Sequence, residues 1–222
     1  MKLILSGGGS GEKTKELDEL FARLIDKNKP LLYIPIAIDK IKHPYPECLK
    51  WLRGTFDKLG VALYEMWTEK ELQNVKVEPE KFGGVYIGGG NTFYLLKTLK
   101  ESNFWDFLKR CLSKNIPIYG GSAGAIIFGH SILSTNDENN VKLNDFSGMG
   151  ILNDINIFCH YKHEEYEIVK QKIITNKLNK IIALPETTGI YRDDKKSQII
   201  GKDSAWLFSK DKKVKIEVEN TF

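Results

Sequence analysis

Gly120-Gly121-Ser122-Ala123-Gly124, near the middle of this 222-residue chain, has the pattern GxSxG. A serine in that pattern stands on a tight turn from a strand into a helix, its hydroxyl raised above the sheet. The surrounding sequence supplies that context. Ile116-Pro117-Ile118-Tyr119 before it reads as a buried strand, and the stretch after it is apolar and helical. The Ala123 N–H, at the start of that helix, can hold a developing oxyanion. A second glycine-rich turn, Gly88-Gly89-Gly90-Asn91-Thr92, also follows a strand. The N–H groups of Gly89 and Gly90 are candidate second donors, with Asn91 beside them or capping the next helix. The chemistry such parts can do is acyl transfer through a serine hydroxyl.

A hydroxyl needs a base, and the base needs an orienting carboxylate. The chain has four histidines. His43 falls in a proline-rich loop, and His130 falls near the end of the helix after the serine. His160 ends the apolar run Ile155–Cys159, a strand terminus where a base belongs, and His163 reads as surface. His160-Tyr161-Lys162-His163-Glu164 lacks the spacing of a zinc motif. For the carboxylate, Asp137 in Ser134-Thr135-Asn136-Asp137 is the first candidate; Glu138, Asp145 and Asp154 compete with it.

Other motifs weaken on inspection. In Gly7-Gly8-Gly9-Ser10-Gly11-Glu12-Lys13-Thr14, Glu12 interrupts the Gly-Lys-Thr of a phosphate loop and replaces the third glycine of GxGxxG. Cys48, Cys111 and Cys159 are widely spaced and read as small apolar residues. Net charge is +4 with mixed basic and acidic clusters, which argues against a nucleic-acid partner. No apolar run reaches the length of a membrane span, and the N-terminus lacks a signal-peptide core. A cytoplasmic protein without metal or organic cofactor is expected.

Elements that must position these residues follow from periodicity. Strands are expected at 3–5, 31–38, 61–67, 83–87 and 116–119, with helices over 13–27, 47–59 and 93–112. Strands that alternate with helices and are apolar on both faces imply a mostly parallel sheet covered on two sides. The last third reads as short strands at 155–160, 181–185, 189–192, 197–200, 205–208 and 214–218, some in hairpins, with a helix near 164–178. One domain over residues 1–222 is the expected organisation.

Four segments together resemble the peptidase E (aspartyl dipeptidase) and cyanophycinase family of serine peptidases. Gly88–Leu96 resembles the family's GGGNTF-x-LL turn, and Gly121–Ala125 its SAGA nucleophile turn. Ser134–Asp137 is similar to its TTND segment, and Phe158–Tyr161 to its Pro-His-[Phe/Tyr]. Leu184-Pro185-Glu186 matches as well and is expected to frame the site. The resemblance implies a three-layer α/β/α sandwich of class I glutamine amidotransferase-like (flavodoxin-like) fold with extra β-hairpins near the C-terminus. It also implies Ser122 as nucleophile, His160 as base, Asp137 as acid, a small peptide as substrate, and room for a homodimer. One departure stands out. The helix after the histidine, where aspartyl dipeptidases carry an arginine for the substrate's N-terminal aspartate, has Glu164, Glu165 and Glu167 instead. Preference for an N-terminal aspartate is therefore not expected. A related amidohydrolase or esterase, or a non-catalytic protein of this fold, are the alternatives.

Overall fold

A computed structural model describes all residues, 1–222. Its strands are β1 (Leu3–Ser6), β2 (Leu31–Ile34), β3 (Tyr64–Met66), β4 (Gly84–Ile87), β5 (Ile118–Gly121), β6 (Ile155–Phe158), β7 (Lys180–Ala183), β8 (Thr188–Arg192), β9 (Ser197–Gly201), β10 (Ala205–Ser209) and β11 (Lys213–Ile216). Its α-helices are α1 (Lys15–Leu24), α2 (Tyr45–Phe56), α3 (Glu69–Leu72), α4 (Thr92–Glu101), α5 (Phe104–Ser113), α6 (Ala123–Ile126) and α7 (Tyr166–Thr175).

Seven strands form the main sheet in the order β3-β2-β4-β5-β1-β8-β9. The first five are parallel, and the β8–β9 hairpin closes the edge antiparallel. Successive side chains of a strand point to opposite faces. Leu3 and Leu5 of β1 thus enter one core with Leu95, Leu99, Phe104 and Phe107 of α4 and α5. Ile4 enters another core with Leu17, Phe21, Leu52 and Phe56 of α1 and α2. Helices on both faces make the three-layer mixed α/β architecture expected from the sequence.

The C-terminal third differs from that expectation in one respect that matters for the site. β6 and β7 leave the main sheet and pair parallel with each other, and the β10–β11 hairpin joins them in the order β11-β10-β7-β6. Asn156 ties this second sheet down: its Oδ1 accepts from Ser131 N at 2.8 Å and its Nδ2 donates to Lys180 O at 2.8 Å. α7 covers the sheet, with Val169 and Ile173 packed on Phe158, Ile181 and Phe208.

Two helices are shorter than their periodicity suggests. The stretch 93–112 breaks into α4 and α5 because Ser102 Oγ donates to Leu99 O at 3.1 Å and accepts from Phe104 N at 3.3 Å, offering the backbone a turn in place of a helix. The helix after Ser122 stops at Ile126, so His130 lies on a turn beyond it. Gly60, as expected, stops the helical run, at φ 84°, after a 3-10 turn, Asp57–Leu59, that continues α2.

Candidate active site

Parallel strands gather their functional turns at their carboxyl ends. β4, β5 and β1 are neighbours, so Gly88–Gly90, Ser122 and Gly7–Gly9 converge there. Ser122 has φ 50° and ψ −112°, a conformation a side-chain-bearing residue adopts only when its surroundings hold it, at a cost on the order of 1–3 kcal/mol. Its N–H donates to Ser6 O at 3.2 Å, and its carbonyl accepts from Ala125 N at 2.8 Å and Ile126 N at 3.0 Å. Gly124 makes the turn possible: a Cβ there would stand 2.4 Å from Ile87 O.

His160, two residues past β6, is likewise at positive φ, 58°. Its N–H donates to Gly7 O at 2.8 Å, fixing it to the turn after β1. Its ring reaches back over the elbow, and Nε2 lies 2.8 Å from Ser122 Oγ. Beneath them the buried Cys159 thiol donates weakly to Ser6 O and Ser122 O, each at 3.6 Å.

The carboxylate on the other ring nitrogen is not Asp137. His160 Nδ1 lies 3.0 Å from Glu186 Oε1. Asp137 Oδ2 instead accepts from Thr92 N at 2.8 Å, Thr92 Oγ1 at 2.6 Å and Thr135 Oγ1 at 2.9 Å, which places it on the N-terminus of α4. The competitors lie elsewhere too. Asp145 pairs with Lys100 at 2.6 Å, Asp154 pairs with Lys180 at 3.3 Å, and Glu138 is exposed. Glu186 was expected only to frame the site, yet it carries the contact expected of Asp137. Lys13 Nζ lies 2.5 Å from its other oxygen, and that hydrogen bond, followed by the one to His160, lowers the Glu186 pKa and keeps it ionised.

The turn after β4 supplies free donors. Gly89 and Gly90 N–H have no acceptor within the chain, and Ala123 N–H opens α6, where no intrahelical acceptor exists. Asn91 does not join them through its side chain: Oδ1 accepts from Tyr94 N at 2.9 Å and Nδ2 donates to Glu138 O at 2.9 Å, a helix cap and a loop tether. Gly8 belongs to the turn after β1 whose phosphate-loop pattern Glu12 interrupts. It has φ 102°, and a Cβ there would stand 2.4 Å from the His160 ring. Of the other histidines, His163 packs against Trp206 at 5.1 Å between centroids, and His43 lines the cavity beside Ser122.

A strained serine on a strand-to-helix elbow, in line with an imidazole and a carboxylate, has the arrangement of a serine hydrolase. The sequence matches the model of Peptidase family S51 over residues 3–200, and the chain belongs to that family of serine peptidases. It is 25% identical to peptidase E of Pasteurella multocida across 93% of this chain and 92% of that protein. It is 26% identical to peptidase E of Haemophilus influenzae across 82% and 84%. Its fold is similar to the crystal structure of a peptidase from an acI-B1 Actinobacterium, with a TM-score of 0.74 at 19% identity, covering 100% of this chain and 96% of that one. No helix is long and apolar enough to cross a membrane.

Proposed function

We propose that the chain hydrolyses short peptides, dipeptides among them, through a Ser122–His160–Glu186 triad and an acyl-enzyme. The observation that carries this reading is the 2.8 Å approach of His160 Nε2 to the hydroxyl of a strained Ser122. Ser122 Oγ attacks the peptide carbonyl, and its proton passes to Nε2 as the O–C bond forms. The Ala123 and Gly89/Gly90 N–H groups hold the oxyanion. Collapse breaks the C–N bond, and Nε2 returns the proton to the departing amine. Water, giving its proton to the same nitrogen, then attacks the ester; collapse breaks the bond from the acyl carbon to Oγ, and Nε2 returns that proton to Ser122 as the acid leaves. Glu186 accepts from Nδ1–H throughout, which fixes the tautomer and stabilises the imidazolium.

Preference for an N-terminal aspartate finds no support. Glu165 accepts from Lys162 N at 2.8 Å as part of a local cap, Glu164 and Glu167 face solvent, and no lysine or arginine lines the cavity beside Ser122. The test is turnover of a panel of dipeptides, amides and esters by the parent and by Ser122→Ala. Dipeptide cleavage that falls by about 10⁴-fold or more in the variant is expected. Turnover of esters alone would point to an esterase, and equal turnover by both proteins would end the mechanism.

A further inference from the structure

A cavity of about 450 Å³ opens beside the nucleophile, within the range of small-ligand pockets, and Ser122 and Gly89 form part of its wall. The rest of its wall comes from β2, β4, the end of β5, α2, the turn after β1 and the loop before α2, which brings His43. Tyr33, Tyr86 and Trp51 line it, and Tyr86 meets Tyr33 and Trp51 edge-on at 5.8 Å and 6.1 Å between centroids. One carboxylate, Glu47 of α2, also lines this aromatic slot, and no cationic lysine or arginine does. Glu47 makes no ion pair within the chain. Lys40 and Lys42, on the preceding loop, are taken by Glu69 and Asp39 at 3.4 Å and 3.7 Å. Lys50, one turn further along α2, lines a separate hollow with Arg53.

This lining has a definite chemical preference. Aromatic faces attract a cation and also cover the methylenes that carry it. An unpaired carboxylate beside them favours the same charge and repels its opposite. The position decides which part of the substrate enters. The departing amine must lie against His160 Nε2, which returns its proton; His160 does not line the cavity, though Gly8 beside its ring does, whereas Ser122 and Gly89, which hold the acyl carbon and its oxygen, both do. The cavity therefore lies on the acyl side of the bond that is cut.

We propose that this cavity is the specificity pocket for a lysine or arginine side chain on the residue whose carbonyl Ser122 attacks, with Glu47 as its counter-ion. The proposal rests on Ser122 being the nucleophile and names the substrate class that the peptidase reading leaves open. It makes Glu47 a specificity-determining residue outside the triad, carried on an exposed helix face, so its replacement leaves the core intact.

The test has two arms that separate the pocket from the catalysis. In the first, Arg-Ala, Lys-Ala, Leu-Ala and Asp-Ala are compared as substrates for the parent, Glu47→Gln and Glu47→Lys. Basic dipeptides should lead in the parent. Glu47→Gln should lower kcat/KM for them by about five- to tenfold while Leu-Ala stays within twofold, as for loss of a partly solvated ion pair. Glu47→Lys should place Asp-Ala above Arg-Ala. In the second arm, argininamide and aspartic acid amide are titrated calorimetrically into Ser122→Ala, with and without Glu47→Gln. Argininamide should bind at least tenfold tighter than the acidic amide, and Glu47→Gln should erase the difference. Argininamide binding that depends on Glu47, in a protein whose parent cleaves no peptide, would support the pocket while removing the peptidase reading. A parent that prefers Asp-Ala or Leu-Ala would overturn the pocket. So would an equal loss on all four dipeptides in Glu47→Gln, which would assign Glu47 to the substrate's amino group.

Discussion

Replacing Glu186 by glutamine asks which carboxylate serves His160. In the structure Glu186 Oε1 faces Nδ1 at 3.0 Å, and Lys13 holds the other oxygen. The amide keeps the shape but loses the charge, and its NH₂ can turn towards Nδ1 and favour the wrong tautomer. A hydrogen bond to a charged partner is worth about 1.5–3 kcal/mol, or about 10- to 150-fold in rate if it acts in the transition state. Loss of the tautomer in a buried triad brings the total near 10⁴. Here the Glu186 side chain is 35% exposed, so water shares its work. A fall in kcat of about 10²–10³ is expected, with little change in KM. Asp137→Asn is the matched control. It weakens the Thr92 and Thr135 contacts at the start of α4, so it should lower stability by about 1–2 kcal/mol and leave kcat within about threefold. Steady-state kinetics of both variants on one dipeptide, with urea unfolding alongside, reads the outcome. If Asp137→Asn is crippled and Glu186→Gln is nearly normal, the geometry has been misread.

Three further outcomes follow from single contacts. Lys13→Met removes the group that most lowers the Glu186 pKa, so the carboxylate should begin to protonate at higher pH; the acid limb of kcat/KM should move upward, with a loss that grows as pH falls below 5 and stays under about twofold at pH 8. A limb that stays in place would deny Lys13 a positioning role. Gly8→Ala puts a methyl 2.4 Å from the imidazole at a φ of 102°, and kcat should fall by about 10²-fold or more while circular dichroism keeps the parent's spectrum; full activity would contradict the packing. Asp18 is 5% exposed, and burial pushes its pKa up to about 6 from 3.8. Folding thus favours its protonated form, a contribution present below about pH 4 and lost as pH rises through 6. Asp18→Asn escapes that loss, so its stability relative to the parent should rise by about 2 kcal/mol between pH 4 and pH 8 in urea unfolding, and a gap that does not widen would refute it.

The first two-thirds of the fold is legible because its strands are short and mostly apolar, and β1, β4 and β5 run into glycine at their carboxyl ends. Leu3–Leu5, Gly84–Ile87 and Ile118–Tyr119 announce both the parallel sheet and the three turns that meet over it. Ser122 and His160 are legible for the same reason, since each follows a strand terminus. Glu186 is harder to read, because its role depends on which strands are neighbours. β6 and β7 pair in parallel with Phe158 opposite Ala183, so His160 and Glu186 emerge side by side just beyond them. Nothing in either segment's own pattern declares that pairing. Asp137 misleads because an acidic residue near the serine serves a helix N-terminus as readily as an imidazole. Lys13 and Gly8 sit in a turn whose glycines suggest phosphate chemistry, whereas their partners, Glu186 and His160, lie about 150 or more residues away. Glu47 and Trp51 look like an ordinary helix surface until α2 is set against the elbow.

The most direct test of the central claim is a crystal structure of the protein after treatment with a fluorophosphonate. The account predicts a phosphonyl group bonded to Ser122 Oγ, with its oxygen on the amides of Ala123 and Gly89 or Gly90, His160 Nε2 within hydrogen-bond reach, and Glu186 still on Nδ1. An unmodified Ser122 under conditions that label other serine hydrolases, or an adduct on a different residue, would contradict it.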